Sequence, residues 1–189
     1  MIYLDDDIAG FDLRAALPLL SEQRCQQVLK FKHQLGQKTC AMAYMLLRRG
    51  LQEEYGLSEP PLFAYNEHGK PSIAGHPEIH FSLSHCKAGV VCALSGRPVG
   101  IDIESVGRYD ERLARYTMNE RELEEIASSG QPDIAFTRLW TQKEAVLKWK
   151  GTGIDRNLKQ VLGGVEGIET TVNEAKGYVV SVYYGEKRD

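Results

Sequence analysis

The chain has 189 residues and a mass of 21.2 kDa, enough for one ordinary domain or two small ones. Apolar residues make up 42% of it and charged residues 26%, which is typical of a globular protein and excludes a disordered one. Lysine and arginine number 23 against 26 acidic residues, and the resulting net charge of −3 argues against a general binder of nucleic acid or membranes.

The N-terminus and the cysteines favour the cytoplasm. Residues 1–10 carry three consecutive acids where a secretory signal would carry Lys or Arg. The apolar stretches along the chain are too short to span a bilayer. The four cysteines are scattered, without the spacing of a metal site. We therefore expect a cytoplasmic protein whose cysteines act as small hydrophobic side chains.

Two helices are predicted in the first third of the chain. Ser21 is a suitable N-cap for the first of them. The second runs from about residue 37 to residue 55, because apolar side chains recur there at the three- and four-residue spacing of a helix with one buried face. The pair Pro60–Pro61 ends this region, and Asn66–Pro71 predicts a turn or loop.

Three strands are predicted in the middle of the chain, at residues 79–84, 90–94 and 99–104. The links between them have hairpin length and contain Gly or Pro. This pattern predicts an antiparallel meander of three strands.

The last third returns to helix. Residues 108–128 are rich in charge, and the run ERELEEI is typical of a solvated helix face. Pro132 is placed as the first residue of a helix that reaches residue 150 and is closed by Gly151 and Gly153. Two or more strands are expected after residue 163. Since both halves contain helices and strands, a seam is expected near residues 95–98.

The strand at residues 99–104 carries the most informative polar pattern. Its alternation places Gly100, Asp102 and Glu104 on one face and three apolar residues on the other. An ordinary half-exposed strand gives the same alternation. However, two like charges on one face repel unless something positive lies between them, and a strand glycine usually marks the close approach of a ligand or another backbone. A divalent cation with oxygen ligands would account for both features, and both interpretations stay open.

The helix ending at residue 150 carries a second polar group. Trp140, Glu144 and Lys148 form one row at spacing four, so the acid and the base line the border of the apolar stripe. They form either a surface ion pair or part of a site. Lys143 falls near the middle of the apolar stripe, where a lysine needs a partner. It belongs either to a structural ion pair or to the site.

Two shorter segments could bind an anion. His85 follows Ser84 at a strand end, where it could donate to a phosphate or serve as a structural histidine. Lys70 and Pro71 follow a glycine in a loop, as in many surface turns. Together the four segments hold the carboxylates, cations and rigid glycines needed for magnesium-assisted phosphoryl transfer.

These segments also carry a family resemblance. NEHGKP, HFSLSH, PVGIDIE and WTQKEAVLKWKGTG occur in the order and spacing of the 4′-phosphopantetheinyl transferases, and residues 20–155 resemble the larger, Sfp-like class. The joint occurrence of GIDIE and WxxKEAxxK is highly specific. The resemblance implies an α+β fold of two similar subdomains, residues 1–96 and 97–189, with mainly antiparallel sheets related by a pseudo-twofold axis and the active site in the cleft between them.

The resemblance also implies roles for individual residues. The positions that match the family's magnesium carboxylates are Asp102, Glu104 and Glu144. Lys148 matches its lysine on the transferred phosphate. The positions that match its coenzyme A contacts are Ser84 and His85 at the 3′-phosphate, Lys70 and Pro71 against the adenosine, and Arg24 and Lys38 at the nucleotide phosphates.

The implied reaction transfers 4′-phosphopantetheine from coenzyme A to a serine of an acyl or peptidyl carrier protein and releases adenosine 3′,5′-bisphosphate. Either Glu104 or Glu144 takes the serine proton, and the sequence does not choose between them. Two alternatives are a non-catalytic module of the same fold that binds coenzyme A or a nucleotide, and a magnesium-dependent phosphohydrolase.

The implied partner is acidic around its serine, so docking calls for a local basic or apolar patch. The candidates are Arg48 and Arg49, or Arg108, Arg112 and Arg115, although either group could equally be a solvated face. A monomer is expected, because two fused halves complete a cleft within one chain.

Overall fold

The computed structural model describes residues 1–153 and 157–185. The described residues do not include 154 and 155, where the family resemblance ends, or 186–189, where the expected C-terminal subdomain ends. The helices and strands, in chain order, are β1 (Ile2–Asp5), α1 (Leu13–Ala16), α2 (Glu22–Leu29), α3 (Gln34–Tyr55), β2 (Phe63–Tyr65), β3 (Pro71–Ile73), β4 (His80–Cys86), β5 (Gly89–Ser95), β6 (Gly100–Ser105), α4 (Glu111–Thr117), α5 (Glu120–Ser128), α6 (Pro132–Lys150), β7 (Glu169–Asn173) and β8 (Tyr178–Tyr183).

The first sheet is antiparallel, with the order β1-β5-β4, and is covered on one face by α3. As predicted, Ser21 caps the helix before α3 through its side chain, which accepts from the backbone N of Arg24. The long helix α3 begins three residues before the predicted start. It ends at Gly56, whose φ of +69° favours glycine.

Strand β5 lies at the centre of the molecule, since both of its faces are buried. Val90, Cys92 and Leu94 pack against α3, whereas Val91 and Ala93 pack against the second sheet. Burial on both sides explains why this segment is a continuous apolar run rather than an alternating one.

The second sheet is also antiparallel and has the order β6-β8-β7. Ile101 and Ile103 of β6 face the first sheet and are fully buried. The other face of β6 packs against α6. The layers are therefore α3, the first sheet, the second sheet and α6. The predicted α+β class with antiparallel sheets is confirmed.

The predicted three-stranded meander is wrong in its third strand. The β4–β5 hairpin forms, but β6 pairs with β8. The reason is that the other edge of β5 is taken by β1, a strand that was not predicted. Strands β4 and β6 are instead edge strands of different sheets, joined by side chains: the Ser82 hydroxyl accepts from the backbone N of Ile101 over 3.1 Å.

The charged segment at 108–128 also differs from its prediction. It forms two helices, α4 and α5, and Glu122 within ERELEEI is only 6% exposed. The prediction for α6 is confirmed: it begins at Pro132 and is closed by Gly151 in a left-handed conformation. All four cysteines are free. Among the described residues, no helix is long and apolar enough to cross a bilayer.

Candidate active site

A cleft of about 270 Å³ opens between α6 and the elements of the first half of the chain. The β2–β3 loop and the middle of β4 form one wall, with Lys70, Pro71 and Ser82 among its residues. Glu144 and Lys148 of α6 form the other wall. The cleft therefore brings together residues that lie far apart in the sequence.

Asp102 is the buried centre of the polar cluster beside this cleft. It is 3% exposed, and its Oδ1 accepts hydrogen bonds from the Ser84 hydroxyl over 2.7 Å and from Lys148 Nζ over 2.6 Å. Its other oxygen, Oδ2, is buried without a hydrogen-bond partner among the described residues. A buried carboxylate oxygen without a donor is costly, so this atom marks a position where a cationic ligand would be stabilised.

The two unusual features of the GIDIE strand have explanations within the chain. A Cβ at Gly100 would lie 2.0 Å from the carbonyl O of Ala145 and 2.5 Å from the backbone N of Trp149. The glycine thus allows α6 to approach β6, and no ligand is needed to explain it. The positive group beside the acids is the ammonium of Lys148, which pairs with Asp102.

Glu104 and Glu144 complete a group of carboxylates that influence one another. Burial and the charge of Asp102 raise the pKa of Glu104 to about 7, against the opposing effects of Lys148 and a hydrogen bond with Trp140. Burial and the charge of Asp102 also raise the pKa of Glu144. The two groups are half-buried on β6 and α6. The cluster is therefore short of positive charge.

The three carboxylates do not form a ready-made metal cage. Within residues 1–153 and 157–185, no group of three or more His, Cys, Asp or Glu side chains is placed so as to hold a metal ion. Asp102 is instead hydrogen-bonded to Lys148. The carboxylates are thus close enough to influence one another's pKa, but they are not arranged as the ligands of one metal ion.

The position of Lys143 decides between its two interpretations. Its Nζ is fully buried and donates to Glu122 and to the carbonyl O of Leu158, both over 2.8 Å. Lys143 therefore belongs to a structural ion pair that joins α6 to α5, and its side chain points away from the cleft wall formed by Glu144 and Lys148.

Arg24 is a buried cation without a carboxylate partner among the described residues. It is 8% exposed, and its guanidinium stacks on the rings of Tyr44 and Phe63 at 5.3 and 5.1 Å. Its Nε has no hydrogen-bond partner there, and its Nη1 reaches only the sulfur of Cys40 at 3.7 Å. Burial lowers the pKa of His85, and the charges of Lys148 and Arg24 lower it further against the opposing charge of Asp102. This region has a surplus of positive charge.

The remaining predicted ligands of coenzyme A have protein partners. Lys38 Nζ donates to the carbonyl O atoms of Ile8 and Ala9, over 3.2 and 3.1 Å. Lys70 lines the cleft together with Pro71, and its Nζ donates to the carbonyl O of Trp149 over 3.0 Å.

Both candidate groups of docking arginines contain an ion pair within their own helix, and in the second group Arg115 pairs with Glu111 over 2.7 Å. Arg48 donates to the carbonyl O atoms of Leu19 and Ser58, and Arg49 pairs with Glu53. These contacts bind the first group to its own chain.

Comparison with known proteins identifies the family. A profile of the 4′-phosphopantetheinyl transferase superfamily matches residues 98–188. The chain is 30% identical over 158 residues to the 4′-phosphopantetheinyl transferase psf-1 of Bacillus pumilus. The aligned region covers 82% of this chain and 68% of that protein. It is 26% identical over 156 residues to the 4′-phosphopantetheinyl transferase Sfp of Bacillus subtilis, with 81% and 70% covered. It is 33% identical over 138 residues to the 4′-phosphopantetheinyl transferase gsp of Aneurinibacillus migulanus, with 71% and 57% covered.

The chain therefore belongs to the 4′-phosphopantetheinyl transferase superfamily and is an enzyme of its Sfp-like class.

Three contributions to the cluster were missed from the sequence. Ser82 bonds the edge of β6, Trp140 hydrogen-bonds Glu104, and Tyr44 stacks on Arg24. A signal existed only for Trp140, which precedes Glu144 by one helical turn on the same face. The other two depend on contacts between distant segments.

Proposed function

We propose that this enzyme transfers 4′-phosphopantetheine from coenzyme A to a serine of an acyl or peptidyl carrier protein, with Mg²⁺ as cofactor. The observation that carries the proposal is the buried carboxylate of Asp102, which has one oxygen held by Ser84 and Lys148 and the other without a partner in the part of the chain that the structure describes. Besides Lys148, Arg24 is a cation without a carboxylate partner among the described residues. Its positive charge could bind a phosphate of the substrate.

The chemistry of the residues present fits a magnesium ion, and the ligands would have to move closer around it, because they form no ready-made cage among the described residues. Asp102, Glu104 and Glu144 supply the hard carboxylate oxygens that Mg²⁺ prefers, and the unpartnered Oδ2 of Asp102 is available to it. Burial, followed by the charge of Asp102, raises the pKa of both glutamates, and a bound cation would favour their charged forms. When bound, the ion would neutralise the pyrophosphate of the substrate.

The reaction forms and breaks one bond each at the β-phosphorus of coenzyme A. The serine oxygen bonds to that phosphorus while the bond to the bridging oxygen breaks, and adenosine 3′,5′-bisphosphate leaves. Lys148 stabilises the charge that grows on the phosphate oxygens. Glu104 and Glu144 are the two carboxylates that could receive the serine proton, and burial raises the pKa of both toward the range that suits a general base.

We propose that the nucleotide is held mainly by the first half of the chain. Arg24 and Lys38 bind its phosphates, Ser84 and His85 lie at the 3′-phosphate, and Pro71 with the backbone of Lys70 forms the wall against the adenosine. Arg24 is the best supported of these ligands, because a guanidinium that is 8% exposed and lacks a carboxylate is stabilised by a bound anion.

The proposal divides the chain into subdomains of residues 1–96 and 97–189, with the active site in the cleft between them. Two sheets built from separate stretches of chain, each covered by one long helix, support this division. Since one chain supplies both walls of the cleft, we propose a monomer. Four free cysteines support a reducing compartment, the cytoplasm.

Carrier docking is proposed at α4 and the segment before it, where Arg108 and Glu104 line the same cavity. Arg108, Arg112 and Arg115 supply positive charge, and Leu113 and Tyr116 are exposed apolar side chains, 45% and 73% accessible. An acidic carrier would meet this surface with complementary charge.

Intact-mass spectrometry of an apo-carrier tests the function. With coenzyme A and Mg²⁺ present, the carrier is expected to gain the mass of one phosphopantetheine group. A variant of the carrier in which its serine is replaced by alanine should gain none. Release of adenosine 3′,5′-bisphosphate without any change of the carrier would show a phosphohydrolase. Binding of coenzyme A with neither product would show a non-catalytic module.

A further inference from the structure

Two side chains of the β2–β3 loop are bonded to the end of α6. Lys70 Nζ donates to the carbonyl O of Trp149 over 3.0 Å, and Asn66 Nδ2 donates to the carbonyl O of Gly151 over 3.0 Å. We call these two hydrogen bonds the latch. They connect residues 79 and 85 positions apart, and Lys70 and Gly151 also line the cleft.

The loop is built to present both donors. Asn66 Oδ1 accepts from the backbone N atoms of His68 and Lys70, over 3.0 and 2.8 Å. The backbone N of Asn66 donates to the carbonyl O of Lys70 over 3.1 Å, which closes the loop. Gly69 has the positive φ, +82°, that this turn requires. Because both bonds to Oδ1 fix the amide plane of Asn66, its Nδ2 is directed toward α6.

The end of α6 is equally suited to receive them. The last carbonyl groups of a helix lack intrahelical partners and carry the negative end of its dipole, so a cation and an amide N–H satisfy them well. Gly151 has a φ of +71°, and a Cβ at this position would lie 2.6 Å from Lys70 Cδ. Any side chain there would therefore press against the latch.

Lys70 has no competing partner. No Asp or Glu of the described residues pairs with its ammonium, and burial alone lowers its pKa. A half-buried ammonium needs hydrogen-bond acceptors, and the acceptor it has is the carbonyl O of Trp149. The Lys70 ammonium is therefore held by the C-terminal end of α6.

We propose that Lys70 and Asn66 are positioning residues, and that the latch fixes the last turns of α6 against the first half of the chain. Lys148 lies one residue before Trp149, and Glu144 lies one turn earlier. This inference rests on the proposed transferase function and deepens it. Pro71 and the loop backbone contact the nucleotide, whereas the Lys70 ammonium acts on Lys148 and Glu144 through α6.

The test compares Lys70→Ala and Asn66→Asp with the control Lys150→Ala. Aspartate retains the oxygen that orders the loop but lacks the N–H that reaches Gly151. Lys150 is exposed on the last turn of the same helix, and no bond to another described residue is lost with it. Lys70→Arg retains donors on a long side chain and serves as the conservative variant. The readouts are amide hydrogen exchange and the steady-state kinetics of transfer.

In both latch variants, we expect exchange of the amides at residues 148–151 to be at least about tenfold faster, with the β5 amides unchanged. The kcat for transfer should fall at least about tenfold, with KM for coenzyme A changed less than about threefold, because displaced catalytic groups reduce the rate rather than the affinity. Lys150→Ala should leave both readouts unchanged, and Lys70→Arg should restore most of kcat.

A rise in KM for coenzyme A in Lys70→Ala, with exchange as in the unaltered enzyme, would show Lys70 to be a nucleotide ligand and overturn the proposal. Unaltered exchange and kcat in Asn66→Asp would overturn it as well. If the unaltered enzyme transfers nothing to any carrier, the proposed function fails, and exchange at the end of α6 still decides whether the latch exists.

Discussion

Arg24 shows how a single residue can indicate a ligand. Its guanidinium is stacked between aromatic rings and buried, yet no carboxylate of the described residues balances it. Stacking on aromatic faces stabilises the cation only partly. A phosphate of the nucleotide would complete its surroundings, because arginine binds phosphate through paired hydrogen bonds.

Replacing this cation should therefore weaken substrate binding. In Arg24→Gln, we expect KM for coenzyme A to rise at least about tenfold, since a charge-assisted hydrogen bond contributes roughly 1.5–3 kcal/mol, while kcat changes little. Steady-state kinetics with a saturating carrier measures both constants. Arg14→Gln, at an exposed arginine, is the control. An unchanged KM would remove Arg24 from the binding site.

The buried ion pair of Lys143 and Glu122 contrasts with Arg24, because here the buried cation has a carboxylate partner. In Glu122→Gln, the capping of α5 is retained, because an amide oxygen can still accept from the backbone N of Asn119. The Lys143 ammonium loses its counterion in the interior, and we expect a loss of about 3 kcal/mol in the free energy of unfolding. Urea denaturation measures it. Glu124→Gln, on the exposed face of α5, should differ from the unaltered protein by less than about 0.5 kcal/mol.

At this scale the sequence predicts which residues are unusual but not always their partners. The spacing places Lys143 in an apolar stripe, and its burial follows. Glu122 was assigned to a solvated face, because its helix is rich in charge and only the packing of α5 on α6 shows that this one acid points inward. The partner of a buried charge is set by tertiary contacts.

At the scale of elements, the contact between β6 and α6 positions the acids. Glycine at position 100 lets the helix backbone approach the strand, so that Lys148 reaches Asp102. The same approach places Glu144 where it experiences the charge of Asp102. The glycine of GIDIE thus sets the distance between the two elements that carry the carboxylates.

Gly100→Ala tests this spacing. The added Cβ would overlap the backbone of α6, 2.0 Å from the carbonyl O of Ala145, so the helix must move. We expect a loss of about 3 kcal/mol in stability and a fall in kcat well beyond what the stability change explains. Gly96→Ala is the control, since a Cβ there meets no neighbouring atom. Equal stability and activity of both variants would contradict the role of this contact.

The error in the predicted meander also belongs to this scale. Alternation and short links identify strands β4, β5 and β6, but they do not say which edges pair. A short first strand, β1, occupies the free edge of β5, and β8 pairs with β6. The pairing of strands that are distant in the sequence depends on the whole core, and local patterns carry no information about it.

At the scale of the whole molecule, the two sheets are joined at several places around the central strand β5. Besides Ser82 and the latch, Asp6 at the end of β1 connects to the β7–β8 hairpin: Lys176 Nζ donates to Asp6 Oδ1 over 2.6 Å, and the Tyr178 hydroxyl donates to Oδ2 over 3.1 Å. These contacts join the first half of the chain to the second sheet.

The Asp6 contact predicts a pH dependence of stability. The hydrogen bond from Lys176 lowers the pKa of Asp6, with a further contribution from Tyr178. A depressed carboxylate pKa stabilises the fold above the unfolded value, near 4, and this stabilisation is lost as the pH falls through the folded value. Asp6→Asn should therefore melt at a lower temperature than the unaltered protein at pH 7. The difference should disappear as the pH falls through the lowered pKa of Asp6. A difference that persists in acid would contradict this assignment.

The fold class and the clustering of the acids with Lys148 were predictable from the sequence, because GIDIE and WxxKEAxxK resemble two motifs of a known family. The orientation of the Asp102 side chain was not predictable from the sequence. It follows from the meeting of β4, β6 and α6, which places Ser84 and Lys148 on the same oxygen. The unpartnered oxygen became visible only in three dimensions.

The most direct test of the central claim is the rate of phosphopantetheine transfer to an apo-carrier as Mg²⁺ is titrated, for the unaltered enzyme and for Asp102→Asn. Asparagine retains the shape of the side chain but removes the charge that holds the cation. We expect transfer by the unaltered enzyme to saturate with Mg²⁺ and to stop with a chelator, and the variant to be at least about a hundredfold slower at every concentration. Transfer that needs no Mg²⁺, or that proceeds at the full rate in Asp102→Asn, would contradict the account.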